Sequence, residues 1–237
     1  FGSLIQIPYA LKTHLTVLPE VLALVKQSGD MYASAAADDL LQLVQQAQVL
    51  AMQFDAVVAN PPYMGGKYLN LLLKAFLKEN YKNYSKDLFS AFMIRCLSAS
   101  KSTGTSAFVT PFVWLSLSSY EFLRTEILDH HSIGSLVKPS YTSFFESAIV
   151  PLVAFVIERG SSEFLGTFFD LGYLGSAESQ PIKLKEGIEF SRCEYKYLAS
   201  SADFQRIPGS PVAYWVSKKL LTIFNTGIPF DTVGHPR

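Results

Sequence analysis

One short apolar segment ends abruptly at two consecutive prolines, and this junction constrains the fold more than any other feature. Phe54–Ala59 reads FDAVVA, which is short, apolar and β-branched at its centre, as buried strands are. Pro61 and Pro62 each fix φ and lack an N–H, and Pro61 also restricts Asn60 to extended conformations. The strand must therefore stop here, and a stiff loop, Asn60-Pro61-Pro62-Tyr63, follows it.

The remaining pattern alternates segments of strand and helix character. We expect strands at residues 3–7, 54–59, 106–110, 133–137, 148–158 and 164–171. Helices are expected at residues 18–27, 35–52, 69–77, 87–97, 120–128 and 212–224, with Ser118 and Glu121 forming a capping box before the fifth. This alternation predicts a mostly parallel α/β sheet. Residues after Gly172 have the composition of loops, with a rigid turn at residues 207–211.

Composition supports a folded chain with a large core. Hydrophobic residues make up 49% of the 237 positions and charged residues only 17%, which argues against disorder. The longest apolar stretch, residues 148–157, contains Pro151 and is too short for a membrane span. The start lacks a basic region followed by an apolar one, so no signal peptide is expected. Cys96 and Cys193 are too few and too far apart for a metal knuckle, and we expect reduced core thiols in a cytoplasmic protein.

Charge is balanced overall but uneven along the chain. The net charge of zero weighs against DNA binding by this chain alone, because phosphate contacts need Lys and Arg. Residues 1–59 hold two lysines and five acids, whereas residues 181–237 hold eight basic and five acidic residues. A nucleic-acid surface is therefore expected toward the C-terminus.

The loop at residues 60–63 lies where open α/β sheets bind ligands, at the carboxyl end of a strand. It can present the Asn60 side-chain oxygen and the Pro61 backbone oxygen as two acceptors, which suit an exocyclic NH₂ group. The amino nitrogen of adenine is a poor nucleophile because its lone pair is delocalised into the ring. Two fixed acceptors favour a tetrahedral nitrogen, so positioning and electrostatics replace a strong general base. Tyr63 offers a flat face for a base extruded from a duplex. A proline-rich surface turn is the alternative.

Three other chemistries do not fit. Gly65-Gly66-Lys67 lacks the first Gly and the final Ser or Thr of a phosphate loop, since Pro61 and Tyr68 stand there. His130 and His131 are adjacent and cannot face one metal from a helix, so we expect a solvated helix end and no metal site. The sequence has no Gly-x-Ser-x-Gly elbow.

Two segments resemble a known family. Residues 54–70 read FDAVVANPPYMGGKYLN, and residues 207–216 read IPGSPVAYWV. Both look like the adenine-specific methyltransferases of bacteriophage-exclusion (BREX) defence systems, the phage-growth-limitation X family. The resemblance runs along the whole chain and is most specific in residues 54–70 and 205–217. It implies a Rossmann-like class I S-adenosylmethionine-dependent methyltransferase sheet, truncated, with helices on both faces.

The resemblance also implies roles for individual residues. Asn60 and Pro61 match the acceptors for the amino group, Pro62 completes the catalytic loop, and Tyr63 matches the aromatic that stacks on the base. Phe145, five residues before Val150, matches a second aromatic that packs on the flipped base. Phe144 competes for that role, and a plain core position remains the alternative for Phe145.

One departure from the family's pattern concerns the cofactor. These enzymes bind S-adenosylmethionine through a glycine-rich motif before the catalytic loop, and this chain has only Gly2 and Gly29 there. We therefore expect residues 1–172 to be a partial catalytic domain, and residues 173–237 a connector toward a target-recognition domain. The cofactor-binding residues stay unknown, and we expect no saturable S-adenosylmethionine binding by the chain alone.

The implied activity is methylation of the N6 amino group of adenine in double-stranded DNA, in phage defence or restriction–modification, with other defence proteins as partners. The same tetrapeptide also occurs in enzymes that methylate glutamine in release factors or guanine in ribosomal RNA. A non-catalytic interaction module is a further alternative. With a neighbouring strand missing, residues 54–59 would present an apolar edge. Either residues 3–7 pair with it or two copies associate across it, and we favour the second.

Overall fold

A six-stranded sheet flanked by helices forms the body of the chain. The computed structural model describes residues 2–140, 151–160, 163–174, 177–191 and 193–227. In chain order the elements are α1 (Tyr9–Lys12), α2 (Leu18–Lys26), α3 (Met31–Ala51), β1 (Phe54–Ala59), α4 (Leu71–Asn80), α5 (Leu88–Ala99), β2 (Ser100–Pro111), α6 (Glu121–His130), β3 (Ser132–Lys138), β4 (Leu152–Glu158), β5 (Leu165–Asp170), α7 (Gln180–Glu189), β6 (Lys196–Ser200), α8 (Ser201–Gln205) and α9 (Lys218–Thr226).

The strands lie in the order β1-β2-β4-β3-β5-β6. Strand β1 is parallel to β2, and β3 is parallel to β5, whereas β4 runs antiparallel to both β2 and β3, and β6 runs antiparallel to β5. Four strands therefore share one direction, as a mostly parallel sheet predicts, and the reversal of β4 and β6 makes the sheet mixed. The carboxyl ends of β1, β2, β3 and β5 consequently meet at one edge, where ligands bind in such sheets.

The main core lies on one face of this sheet. Phe108 of β2 and Phe155 of β4 are 5.5 Å apart between ring centroids, and Trp114 packs 5.0 Å from Phe155. Helices α5 and α6 cover these rings with fully buried side chains such as Phe89 and Ile127. Because side chains alternate along a strand, the neighbours of the buried residues point to the opposite face.

Helices α2 and α3 form an antiparallel hairpin with a small core of its own. Leu22 of α2 packs with Ala37 and Val44 of α3. Asp30 caps α3 by accepting hydrogen bonds from the backbone N–H of residues 32 and 33. The sequence predicted both helices, although α3 begins four residues earlier than expected.

The expected strand at residues 3–7 is wrong. Residues 2–4 form one turn of 3₁₀ helix, and β1 has β2 as its only partner strand within the described residues. Tertiary contacts hold this segment: Arg95 Nε donates to Ser3 O at 3.0 Å, and Tyr81 Oη donates to Leu4 O at 2.6 Å. Fold-back pairing of residues 3–7 with β1 is therefore also wrong.

Two other local predictions need correction. Ser118 begins a 3₁₀ turn, and Tyr120 stands at the N-cap of α6 without a side-chain cap, so Ser118 and Glu121 form no capping box. A capping box occurs instead at Ser200 and Asp203, ahead of α8. The region after residue 172 is not loop-rich either, because α7 and β6 lie there, and the last helix begins at residue 218 rather than 212.

The helices were compared with the length and apolarity that a membrane-spanning helix needs. Among the described residues, none of the helices combines the length and apolarity that a membrane crossing requires.

Candidate functional site at the carboxyl edge of the sheet

The loop at residues 60–63 leaves β1 at the edge where the co-directional strands end. Asn60 is exposed, while Pro61 is buried against the end of the sheet. Within the described residues no donor is hydrogen bonded to the Pro61 carbonyl oxygen. The loop therefore offers a carbonyl without a hydrogen-bond donor beside an exposed side-chain amide, as the two prolines predict.

Tyr63 bridges the loop to the neighbouring strand. Its hydroxyl oxygen lies 2.6 Å from Asn60 Oδ1 and 3.0 Å from the backbone oxygen of Val109 in β2. Tyr63 is 36% exposed, and partial burial raises the pKa of its hydroxyl. Tyr63 is thus a neutral hydroxyl donor, held by β2, with part of its ring open to solvent.

The residues that follow Tyr63 are fixed to the start of α5 through Asp87. The Asp87 carboxylate accepts from Met64 N at 3.2 Å and from Phe89 N at 3.3 Å. Leu88 N donates to Met64 O at 3.0 Å, and Gly65 forms a β-bridge with Asp87. Burial raises the pKa of Asp87, although these backbone donors oppose the shift. Sequence reasoning missed this anchor, whose one local signal is an Asp directly before an apolar helix.

The glycines after the loop do not form a phosphate cradle. Gly66 N donates to Lys86 O at 3.1 Å, and Tyr68 N donates to Gly65 O at 2.9 Å. Backbone N–H groups that are bonded within the chain are not available to a phosphate. This agrees with the rejection of Gly65-Gly66-Lys67 as a phosphate loop.

An open apolar hollow of about 290 Å³ lies beside Asn60. It is lined by Val58 of β1, Val109 of β2 and Val156 of β4, on the sheet face opposite the main core. Val58 is 82% exposed although it is a large apolar residue in a strand of the sheet. The loop therefore adjoins an apolar surface that lacks a cover within the described part of the chain.

A second polar group lies further along the same edge. Lys138 Nζ, at the end of β3, is 3.0 Å from Asp170 Oδ2, at the end of β5, and both side chains are at least 85% buried. Tyr214 donates its hydroxyl to the same Asp170 oxygen at 2.9 Å, and burial with this carboxylate beside it raises the pKa of Tyr214. This group attaches the segment around Tyr214 to the sheet, and no pattern in the sequence predicted it.

Arg124 of α6 holds the turn at residues 207–211 from the other side. Its guanidinium is almost fully buried and donates to the carbonyl oxygens of Trp114, Leu117, Gly209 and Ser210 at 2.7–3.1 Å. The turn closes with a hydrogen bond from Ser210 N to Ile207 O at 2.8 Å. A buried arginine thus replaces missing backbone donors at four positions.

Other candidate residues stand apart from this edge. His131 is partly buried, which lowers its pKa, and the described residues contain no group of side chains that could hold a metal ion. Cys96 and Cys193 are free thiols. Phe145 and Phe144 lie outside the described residues, so their stacking role stays a prediction.

The described residues bring together the groups that the sequence predicts for an amino-group site, but no cofactor site. Asn60 Oδ1 and Pro61 O suit an amino group, and Tyr63 has an exposed ring. The described residues do not provide a glycine-rich loop that could bind S-adenosylmethionine. Strand β1 is the last strand of the described sheet on this side. Gly2 and Gly29 are the only glycines before β1 in the sequence, and neither follows a strand.

Comparisons with known proteins agree with the sequence motifs. The chain is 36% identical over 226 residues to the adenine-specific methyltransferase BrxX of Escherichia coli O9:H4 (strain HS), covering 94% of this chain and 18% of that protein. It is 31% identical over 188 residues to the adenine-specific methyltransferase PglX of Lacticaseibacillus casei (strain Zhang), covering 78% and 16%. The chain thus spans less than a fifth of the length of these relatives. The resemblance to this group of methyltransferases is confirmed.

Structural similarity points to the same fold. The type IIG restriction endonuclease BpuSI matches with a TM-score of 0.53 and 16% identity, over 72% of this chain and 22% of that one. The chain shares the mixed α/β fold of that enzyme, which agrees with the expected methyltransferase sheet. A family model described as Eco57I restriction-modification methylase matches residues 23–145, just over half of the chain. The chain therefore belongs to the Eco57I restriction-modification methylase family.

Proposed function

We propose that the complete protein transfers a methyl group to the N6 amino group of adenine in double-stranded DNA, in phage defence or restriction–modification. The observation that carries this proposal is the pair of acceptors at the end of β1. Asn60 is exposed and its side-chain oxygen has one lone pair left beside the Tyr63 hydroxyl, and the adjacent Pro61 carbonyl has no hydrogen-bond donor within the described residues. Membership of the methylase family supports the same interpretation.

In this proposal the chain's own residues orient the amino group. Asn60 Oδ1 and Pro61 O each accept one hydrogen bond from the amino group. These two hydrogen bonds favour a tetrahedral nitrogen with a localised lone pair. Tyr63 stacks on the extruded base, and Phe145 also packs on this base. S-adenosylmethionine supplies the methyl group, held by residues other than those described. The activation barrier is lowered by positioning and electrostatics, because no side chain has to remove a proton before the nitrogen attacks the methyl group.

The division of the chain follows from the same proposal. Residues 1–172 would belong to a catalytic domain whose cofactor-binding part lies elsewhere in the complete protein. Residues 173–237 would lead toward a target-recognition domain, and other phage-defence proteins would be partners of the whole. We place this activity in the cytoplasm.

The test is Asn60→Ala in the complete protein, with Asn80→Ala as the matched control. Asn80 is an exposed residue at the end of α4, and within the described part of the chain its amide donates to Phe76 O at 3.0 Å. Loss of one pre-organised hydrogen bond to the reacting group lowers the rate by about 10²–10³. Mass spectrometry of digested host DNA should therefore show N6-methyladenine for wild type and Asn80→Ala, and almost none for Asn60→Ala. Wild-type methylation by Asn60→Ala would refute the mechanism.

The same measurement separates the alternatives. Methylated guanine in RNA digests, or methylated glutamine in protein digests, without N6-methyladenine in DNA, would favour an RNA or protein substrate. Absence of all three products would favour a non-catalytic interaction module.

Calorimetry on the 237-residue chain should show no saturable binding of S-adenosylmethionine at physiological concentration, and a micromolar dissociation constant would show that the cofactor site is misplaced.

A further inference from the structure

The hydroxyl of Tyr63 has one proton and two oxygen acceptors within reach. Asn60 Oδ1 is 2.6 Å away and Val109 O is 3.0 Å away. Both partners are carbonyl oxygens, which accept and do not donate. The shorter distance favours donation to Asn60, with Val109 O as a second contact that limits where the hydroxyl can lie.

The two acceptors differ in mobility. Val109 belongs to β2, which is paired with β1 on one side and with β4 on the other, so its carbonyl oxygen is fixed by the sheet. The Asn60 side chain is exposed, and its amide can rotate about a broad torsion unless a partner restrains it. Tyr63 is therefore the link by which the sheet can set the orientation of the Asn60 amide.

An amide oxygen can accept two hydrogen bonds. When the Tyr63 hydroxyl occupies one lone pair of Asn60 Oδ1, it determines that the oxygen rather than the amide nitrogen lies at this position. The second lone pair stays available for an amino proton of the base. Without the hydroxyl, the amide can turn its NH₂ group toward the substrate, which repels the amino protons instead of accepting them.

We propose that Tyr63 is a positioning residue for Asn60 through its hydroxyl, a role separate from the stacking of its ring. The inference rests on the proposed function, because it concerns the same amino group. The hydroxyl makes a hydrogen bond before the substrate arrives and keeps it during methyl transfer, so the hydroxyl proton is not transferred, and the proton that the methylated nitrogen must lose leaves to solvent. It contributes pre-organisation, and its loss should appear in the rate of the chemical step rather than in base stacking.

The test uses Tyr63→Phe in the complete protein, which removes the hydroxyl and keeps the ring. Loss of one hydrogen bond of ordinary strength predicts a fall of about tenfold in kcat for DNA methylation, with KM for DNA nearly unchanged. Tyr68→Phe is the matched control, because Tyr68 lies five residues after Tyr63, is 79% exposed and makes no hydrogen bond from its hydroxyl within the described residues. That control should methylate at the wild-type rate.

A double-mutant cycle separates positioning from a general effect on folding. In an Asn60→Ser background the amide is gone, so Tyr63→Phe should change the residual rate less than about twofold. A similar fall of about tenfold in both backgrounds would show that the hydroxyl acts on the structure and not through Asn60, and would overturn the inference.

Fluorescence of 2-aminopurine at the target position should be alike in wild type and Tyr63→Phe, and different in Tyr63→Ala, which lacks the ring.

The outcomes also separate this inference from the proposal beneath it. Wild-type protein that makes no N6-methyladenine would overturn the proposed function, and the inference with it. Wild-type activity together with an unchanged rate in Tyr63→Phe would overturn the inference alone.

Discussion

Replacing Arg124 by methionine should strongly destabilise the chain, because it removes a donor to several buried carbonyls at once. The guanidinium donates five hydrogen bonds to four carbonyl oxygens, those of Trp114, Leu117, Gly209 and Ser210. A buried acceptor left without a donor costs about 1–3 kcal/mol, and water can reach some of the four. Removal of the desolvated charge offsets part of the loss. The expected decrease in the free energy of unfolding is about 3–5 kcal/mol.

Urea denaturation followed by tryptophan fluorescence measures this change. Trp114 is fully buried beside Arg124, whereas Trp215 is 53% exposed, so the buried ring dominates the change in emission. Arg206→Met is the matched control, because Arg206 is exposed and pairs with Asp203 at 3.4 Å, which should cost under about 1 kcal/mol. Arg124→Lys keeps the charge without the planar fork and should fall between the two. An Arg124→Met variant within about 1 kcal/mol of wild type, the scale of one hydrogen bond, would refute the account of the buried acceptors.

Three further predictions concern the anchor, the sheet and its edge. Burial raises the pKa of Asp87 above its usual 3.8, so the folded chain binds this proton more tightly than the unfolded chain. Stability should fall as pH rises from about 4 through the folded pKa, and Asp87→Asn should lack that fall in melting curves recorded from about pH 3.5 to about pH 7. A Cβ at Gly166 would lie 1.9 Å from Ile133 O, so Gly166→Ala should lower the free energy of unfolding by more than about 2 kcal/mol in urea titrations. Sedimentation should show self-association of the chain that Val58→Lys abolishes, and a monomeric wild type at high concentration would contradict it.

Local pattern predicted the elements that carry the site. Strand β1 was predicted with its observed bounds, because an apolar β-branched run met a pair of prolines that no strand continues through. The position of the loop at the carboxyl edge followed from the α/β alternation. The proximity of Tyr63 to Val109 did not follow, since it depends on how two strands 46 residues apart are registered.

Tertiary contacts explain what the sequence did not reveal. Residues 3–7 have the apolar, β-branched composition of a short strand, but Arg95 and Tyr81 bind two of their carbonyl oxygens and hold a different conformation. Helix α7 contains Pro181 and Gly187, two residues that usually interrupt helices. Pro181 stands in the first turn, where its missing N–H costs nothing. A Cβ at Gly187 would lie 3.0 Å from the ring of Phe169, so the glycine allows the helix to approach the sheet.

The separate small core of the α2–α3 hairpin implies that the chain unfolds in two cooperative units. Leu22, Ala37 and Val44 pack with one another and not with the residues beneath the sheet. One hydrogen bond from Arg95 Nη2 to Leu50 O, at 2.7 Å, ties the end of α3 to α5. Amide hydrogens of α3 should therefore exchange with deuterium before those of β2 and β4, through openings that leave the sheet intact.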